Sequence, residues 1–197
     1  MSGRKITSEN ENPIDDVLIS ICDSLIDICM YFKITPNMIT LSRIVIGTFV
    51  FYYLYYTNEH FYTIIGTIVF YLLDILDGHL ARSTNQVTIL GDYLDHFADV
   101  GFFFIIVFFI LFNKFPNKTN IIILLIVMLY LSMVHLSLQQ VKYKQTDPKA
   151  EVELLDGLLM LHNLECHHIC WTRYFGTGTL YTLIIYIIYY IQNNKKK

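Results

Sequence analysis

The sequence is poor in charge and in residues that interrupt helices. Of its 197 residues only 16% are charged, and it has four prolines, four cysteines and one tryptophan. The net charge of −3, with scattered basic residues, argues against a nucleic-acid partner. The cysteines form two pairs at helical spacing, so we predict no disulfide framework. The first residues are polar, so we expect no cleaved signal peptide.

Long apolar runs dominate the sequence instead. Hydrophobic residues make up 54% of the chain, which predicts an all-α, polytopic membrane protein. Six transmembrane helices are predicted, at residues 38–56, 61–80, 90–112, 120–138, 152–174 and 177–191. The fifth contains several acidic and histidine side chains, so we expect it to pack against its neighbours.

The segments around these spans are predicted from their polarity. Residues 1–12 are expected to form a flexible polar tail, and residues 13–35 an amphipathic helix at the membrane surface. Residues 36–192 would form the six-helix transmembrane domain, in which Asn37 caps the first span. Residues 193–197 form a basic tail. Basic residues outside the spans concentrate on the side of the N-terminus, which the positive-inside rule makes cytoplasmic.

Five aspartates interrupt the apolar pattern of the second and third spans: Asp74, Asp77, Asp92, Asp95 and Asp99. One ionised Asp at a bilayer centre costs about 2.5–3.5 kcal/mol, so these groups need an interface, a wet cavity or cations. Helical spacing places Asp74 with Asp77, and Asp95 with Asp99. A short polar connection predicts an antiparallel hairpin in which these four carboxylates converge and bind Mg²⁺ or Mn²⁺.

Small residues and an arginine share the faces that carry the aspartates: Gly78, Ala81, Arg82 and Gly91. They leave room for a bulky ligand beside the metals. A paired-metal cluster next to an arginine, open to the cytoplasm and flanked by lipid, suits a substrate with a diphosphate and an apolar tail. One carboxylate could act as general base for an attacking hydroxyl.

The aspartate stretch reads D-x-x-D-G-x-x-A-R, eight residues, then G-x-x-x-D-x-x-x-D. It resembles the signature of the class I CDP-alcohol phosphotransferases. The resemblance implies transfer of a substituted phosphate from a CDP-linked lipid to a small polar alcohol, with release of CMP, usually by a homodimer. It implies that Asp74, Asp77 and Asp95 hold two Mg²⁺ or Mn²⁺ ions. Asp99 would accept the proton of the alcohol and lie near the metals.

The same resemblance implies a binding site for the CDP-linked lipid. Gly78 and Ala81 would let the cytidine approach, and Arg82 would meet a phosphate. Gly91 belongs to the signature. Asn37 lies in "TPNMIT", which is similar to the segment that opens the first span of the family.

The acceptor alcohol has several candidates. "DGH" and "NQVT" resemble phosphatidylinositol synthases and favour inositol, although Val100 stands where those enzymes commonly carry arginine. "DHFAD" resembles choline and ethanolamine phosphotransferases, which are longer and have more spans. Glycerol phosphate would require basic residues near the site, and Lys142 and Lys144 are the candidates. In a eukaryote the membrane would be the endoplasmic reticulum or its equivalent.

Two other protein classes also bind ions through acidic residues in a membrane. An intramembrane prenyltransferase uses Mg²⁺ and a lipid diphosphate, but its acidic motifs normally lie farther apart in a longer chain. An ion transporter has no need for the D-G-x-x-A-R grouping, and the chain has no evident inverted repeat.

Several polar residues have a structural interpretation beside a functional one. Asp92 lies in the first turn of the third span, where an acid favours the helix dipole. Packing is the favoured role of His79 and His96. The cluster from His162 to Cys170 could bind zinc, or His162, Glu165 and Asp156 could line the acceptor pocket. The sequon at Asn117 is predicted to face the side opposite the N-terminus.

Overall fold

The computed structural model describes residues 3–57, 59–146 and 168–195, and every regular element in these ranges is helical. The helices are α1 (Pro13–Tyr31), α2 (Pro36–Tyr52), α3 (His60–Ser83), α4 (Ile89–Phe112), α5 (Lys118–Thr146), the short α6 (Ile169–Thr172) and α7 (Thr177–Lys195). A π-helical turn, Tyr53–Thr57, extends α2. Turns of 3₁₀ helix lie at Ser8–Asn10 and Arg173–Phe175.

Five helical segments of the described residues are long and apolar enough to cross a membrane: Pro36–Thr57, His60–Ser83, Ile89–Phe112, Lys118–Tyr143 and Ile169–Asn194. They coincide with the first four predicted spans and the last. Most of the predicted span at 152–174, with His162 and Glu165, lies outside the described residues. Its end forms α6 and the turn that leads into α7.

The starts of α1 and α2 are fixed by capping residues that precede a proline. The Asn12 side chain accepts a hydrogen bond from the amide two residues on (3.0 Å), and Pro13 takes the first helical position. Thr35 caps α2 in the same way, with Pro36 following it. The prediction that Asn37 caps this helix is wrong. Proline suits the first helical position, which moves the cap to the residue before it.

The core lies among α2, α3, α4, α5 and α7. Two pairs of stacked rings mark its centre: Phe70 with Phe102, and Tyr71 with Tyr181, each with centroids 4.1 Å apart. The outer faces expose large apolar side chains, among them Phe104, Phe108, Leu111 and Phe112 on α4. Such a surface is suited to lipid rather than water.

Helix α1 packs by one face mainly on α3, with further contacts to α7, and leaves apolar residues on another face. The packed face carries Cys22 and Cys29, which are buried, free thiols in a cluster with Ile39, Leu76 and Leu80. Exposed apolar side chains include Val17, Ile21 and Ile28. The helix itself agrees with the sequence prediction, and its position at the membrane surface remains a prediction.

Residues 3–12, expected from composition to be a flexible tail, make specific contacts with helices far along the chain. Asn12 is fully buried and donates hydrogen bonds to the Arg173 carbonyl (2.6 Å) and the Thr179 hydroxyl (2.9 Å). The Glu11 carboxylate accepts a hydrogen bond from Gln139 Nε2 (2.6 Å). The N-terminal segment is thereby attached to α5 and α7.

The Asp15 carboxylate is expected to make the stability of the protein depend on pH. Its carboxylate is buried and accepts a hydrogen bond from the Tyr71 hydroxyl, and burial raises its pKa to about 7. Because the folded pKa lies above the ordinary value, stability falls as pH rises from about 4 through 7. We expect Asp15→Asn to stabilise the protein at pH 8, by at most a few kcal/mol. The melting temperatures of the unsubstituted protein and of Asp15→Asn, measured in detergent between pH 5 and pH 8, test this expectation.

The neighbouring Asp16 is a matched control. Its carboxylate pairs with Arg4, which lowers its pKa, so Asp16→Asn should destabilise the protein at pH 8 or leave it unchanged. A lower melting temperature for Asp15→Asn than for the unsubstituted protein at pH 8 would contradict the prediction.

Candidate functional site

The second and third spans carry their aspartates close to the turn that joins them. Helix α3 ends at Ser83, and α4 begins at Ile89. Asn85 adopts a left-handed backbone (φ 55°) within the turn. Thr88 caps α4, and its hydroxyl accepts a hydrogen bond from the Gly91 amide (3.0 Å). The aspartates of α3 and α4 therefore lie at the same end of the protein, as the hairpin prediction requires.

Three of the four signature carboxylates converge closely. Oxygen atoms of Asp74, Asp95 and Asp99 all lie within 4.8 Å of one another. Asp77 is turned toward α2, where it accepts a hydrogen bond from the Thr40 hydroxyl (2.8 Å). Side-chain exposure rises from 7% for Asp77 and 20% for Asp74 to 35% for Asp95 and 46% for Asp99. The acidic cluster therefore opens to the outside along α4.

A fully buried arginine from α2 lies at the centre of these carboxylates. Arg43 Nη1 donates to Asp74 Oδ1 and to Asp95 Oδ1 (2.7 Å). Arg43 Nη2 donates to Asp99 Oδ1 (2.8 Å), and Asp77 Oδ2 lies 3.5 Å from Nη1. One guanidinium thus bridges the carboxylates of α3 and α4. Its positive charge compensates part of their mutual repulsion.

The packing of α2 places Arg43 within reach of the carboxylates of α3 and α4. Helix α2 lies against both α3 and α4, whereas α3 and α4 approach each other closely at few positions. The guanidinium lies over the Phe70 ring, 5.0 Å from its centroid. Gly47, one turn along α2, keeps this packing close, since a Cβ there would lie 3.3 Å from the same ring. The small residue and the aromatic ring together position the arginine.

Sequence reasoning missed Arg43. The positive-inside comparison considered only basic residues outside the spans, and Arg43 lies within the predicted span 38–56. An ionisable side chain within a membrane span is a signal of a functional site, because its desolvation is costly unless a partner compensates it. The sequence therefore contained the signal, although it did not indicate which carboxylates would be the partners.

The residues predicted to accommodate the CDP-linked lipid lie at two edges of the acidic cluster. Gly78, Ala81 and Arg82 form a partly buried surface on the last turns of α3. A Cβ on Gly78 would lie 3.0 Å from Arg82 Nη1, so the glycine lets the guanidinium lie along the helix. Arg82 Nε donates to the Gly3 carbonyl (2.7 Å), which brings the N-terminal segment to this edge.

Asn37 and Gly91 meet at the other edge. A Cβ on Gly91 would lie 2.8 Å from Asn37 Oδ1 and 3.0 Å from Thr88 Oγ1. Glycine at this position therefore lets the Asn37 side chain lie against the first turn of α4. Asn37 does not cap α2, but its side chain reaches the first turn of α4, beside the acidic cluster.

The histidines and the fifth aspartate lie outside the cluster. Asp92 is 72% exposed, and its carboxylate lies 3.7 Å from His96 Nδ1. His79 is buried and bonded to Asp23 (2.7 Å). Lys142 lies on the last turns of α5 and is partly exposed.

The donor set fits a hard divalent cation. Carboxylate oxygens are the ligands that Mg²⁺ and Mn²⁺ prefer, and three carboxylates here are close enough to share one ion. The presence of a guanidinium against the same three groups indicates that the cluster requires positive charge. Asp74, Asp95 and Asp99 would hold a metal, with Asp77 adjacent.

Comparison with known proteins gives two kinds of match. The family model for CDP-alcohol phosphatidyltransferase matches residues 33–192. The CDP-diacylglycerol--glycerol-3-phosphate 3-phosphatidyltransferase of Wigglesworthia glossinidia brevipalpis is 38% identical over 81 residues, which are 38% of this chain and 44% of that protein. The protein of the same name from Aquifex aeolicus (strain VF5) is 34% identical over 80 residues, 40% of this chain and 44% of that protein.

The matched segments thus span less than half the length of these two relatives. No solved structure matches the chain. The family match covers most of the chain, from just after α1 to the last turn of α7, and includes all the aspartates of the cluster and Arg43. With these residues gathered at one end of apolar helices, the chain belongs to the CDP-alcohol phosphatidyltransferase family, whose members are integral membrane enzymes.

Proposed function

We propose that this protein transfers the phosphatidyl group of CDP-diacylglycerol to glycerol 3-phosphate and releases CMP. The observation that carries the proposal is the convergence of Asp74, Asp95 and Asp99 around one cationic centre in a chain of this family. The acceptor is taken from the names of the two relatives. Those names favour glycerol phosphate over inositol, which the short motifs "DGH" and "NQVT" favoured. Val100 stands where inositol synthases commonly carry arginine, which also favours glycerol phosphate over inositol.

The acidic cluster would bind the diphosphate through two Mg²⁺ or Mn²⁺ ions held by Asp74, Asp77, Asp95 and Asp99. When bound, the metals neutralise phosphate oxygens and stabilise the charge that develops during transfer. Gly78 and Ala81 leave space along α3 for the cytidine, and Arg82 donates to a phosphate oxygen. Asn37 and Gly91 form the opposite wall of this site.

Asp99 would act as the general base. It is the most exposed of the four carboxylates, at 46%, so an acceptor from the aqueous side can reach it. The hydroxyl oxygen of the acceptor forms a bond to the β-phosphorus while the bond between that phosphorus and the CMP oxygen breaks. The proton of the hydroxyl passes to the Asp99 carboxylate.

The side of the membrane that the site faces and the oligomeric state of the protein are also proposed. The site lies at the end of the helices that carries Arg82 and Lys142 and the N-terminal segment, and the excess of basic residues supports a cytoplasmic location for this end. A homodimer is proposed from the family resemblance, with the exposed apolar faces of the helices available for contact.

The acceptor is tested with membranes that contain the protein, labelled CDP-diacylglycerol and Mn²⁺ or Mg²⁺. We expect CMP release that depends on added glycerol 3-phosphate and is abolished by a chelator. Inositol, serine and choline are the comparison acceptors. Release that depends on inositol alone would overturn the proposed acceptor. An absence of CMP release, together with release of inorganic diphosphate from an added prenyl diphosphate, would point to the prenyltransferase alternative.

Asp99→Asn tests the general base. Loss of a base typically lowers a rate by 10²–10⁴-fold, so we expect turnover to fall at least ~100-fold. Binding of CDP-diacylglycerol, measured as ligand-induced thermal stabilisation, should persist because the other carboxylates remain. Asp92→Asn is the matched control on the same helix, and its exposed carboxylate should be dispensable. An equal loss of lipid binding in Asp99→Asn would make Asp99 chiefly a metal ligand.

Arg43→Gln tests the central cation. Removing one partner of a buried ion pair typically costs ~3–5 kcal/mol, because the remaining charges are left without compensation. We expect a marked loss of thermal stability in the presence of a chelator, and a partial recovery when Mn²⁺ is added. Arg43→Lys retains the charge without the planar fork and should be intermediate.

The control for Arg43→Gln is Lys33→Gln, which removes an exposed cation at the end of α1. It should leave the melting temperature unchanged with or without Mn²⁺. Unchanged stability of Arg43→Gln in the chelator would contradict the role assigned to the buried arginine.

A further inference from the structure

The N-terminal segment carries a lysine to the edge of the acidic cluster. Gly3 is attached to α3 through the hydrogen bond from Arg82 Nε to its carbonyl (2.7 Å). Ile6 is buried in a small cluster with Val134, Leu138 and Ile169. Lys5 lies between these two attachments and is partly buried. Its position is therefore fixed on both sides, although it belongs to no helix.

A third attachment lies on α1. Arg4 donates to the Asp16 carboxylate (2.5 Å) and to the Ser20 hydroxyl (3.4 Å). Arg4 thus pairs with α1, whereas the charge of the adjacent Lys5 interacts with Arg82 at the end of α3 and with the acidic cluster. This division leaves the Lys5 ammonium available to the site.

Lys5 and Arg82 bring two positive charges together in a poorly solvated place. Burial and the charge of Arg82 lower the pKa of the Lys5 ammonium, while Asp95, Asp74 and Glu11 act in the opposite direction. Across the described ranges, no carboxylate forms an ion pair with Lys5. Asp95 and Glu11 act electrostatically on both cations, but among the described residues neither Lys5 nor Arg82 forms an ion pair with a carboxylate, so an additional anion can join the two cations. A phosphate group has the charge and the acceptor oxygens to do so.

The groups around Lys5 indicate whether the phosphate that binds there belongs to the acceptor or to the lipid substrate. Lys5 is also within electrostatic reach of Asp99, the proposed general base. An alcohol whose phosphate binds at Lys5, beside Arg82, can direct a hydroxyl toward Asp99. The diphosphate of the lipid substrate has the acidic cluster and its metals as its own site. A phosphorylated acceptor therefore fits the position between Lys5 and Asp99.

We propose that Lys5 is a specificity-determining residue that, beside the Arg82 assigned to the lipid phosphate, binds the phosphate monoester of the acceptor alcohol. This inference rests on the proposed function, because it requires an acceptor that carries a phosphate. A glycerol-phosphate acceptor requires basic residues near the site, and Lys5 would be one of them. Lys142 and Lys144 were predicted from the sequence as candidates to bind the acceptor phosphate. Lys142 lies on the last turns of α5, and the side chain of Lys144 lies outside the described part of the structure.

Kinetics of Lys5→Gln in the full chain test the role of the lysine. A charge-assisted hydrogen bond corresponds to a change in affinity of roughly 10- to 100-fold, so we expect the KM for glycerol 3-phosphate to rise by that factor. The KM for CDP-diacylglycerol should change less than twofold. Lys5→Arg should restore most of the affinity, because it retains the positive charge. Lys33→Gln removes a cation outside the site and should leave both KM values unchanged.

A second measurement does not depend on turnover or on a variant. Acetylation of lysines in the unsubstituted protein, followed by mass spectrometry of its peptides, reports the accessibility of each amine. Glycerol 3-phosphate should protect Lys5 from acetylation, glycerol should not, and neither should protect Lys33. CDP-diacylglycerol is tested separately, with and without Mn²⁺.

The possible results separate the two proposals. Turnover with glycerol 3-phosphate, together with an unchanged KM in Lys5→Gln and no protection of Lys5, would overturn this inference and leave the proposed function intact. Protection by CDP-diacylglycerol alone, with a raised KM for that lipid, would assign Lys5 to the diphosphate and overturn the acceptor role. A protein that used only an unphosphorylated alcohol would overturn both.

Discussion

The buried guanidinium of Arg43 is the interaction on which the site depends. It contacts carboxylates from both α3 and α4, and these helices approach each other closely at few positions. Without a cation between them, acidic groups this close would repel one another in surroundings of low polarity. Helix α2 supplies that cation and is held by its own packing on Phe70. The geometry of the acidic cluster is thus a property of three helices rather than of the hairpin alone.

The sequence was sufficient to predict the helical class, five of the long apolar helices and the convergence of three of the four signature aspartates, Asp74, Asp95 and Asp99. These features depend on apolar length and on helical periodicity, which are local properties of the chain. The prediction that Asn37 caps α2 was wrong because Thr35, on the other side of Pro36, is the cap. The proline decides the outcome by its preference for the first helical position.

The contacts of the N-terminal residues could not be predicted. Composition describes residues 1–12 as polar, and polar segments commonly remain in solvent. Here the partners of Asn12 and Glu11 are side chains and carbonyls of α5, Arg173 and α7, which lie well over a hundred residues away. Local sequence carries no information about such pairings. The same is true of Lys5, which no motif marks and which only the folded arrangement brings to Arg82.

Asn12 has a consequence for biosynthesis. It leaves the ribosome more than a hundred residues before its hydrogen-bond partners, the Arg173 carbonyl and the Thr179 hydroxyl. The amino-terminal segment must therefore wait, without these contacts, while the membrane helices are inserted one after another. Only when translation has passed Thr179 can these two parts of the chain join, so this end of the protein is completed late, after the preceding helices have been made.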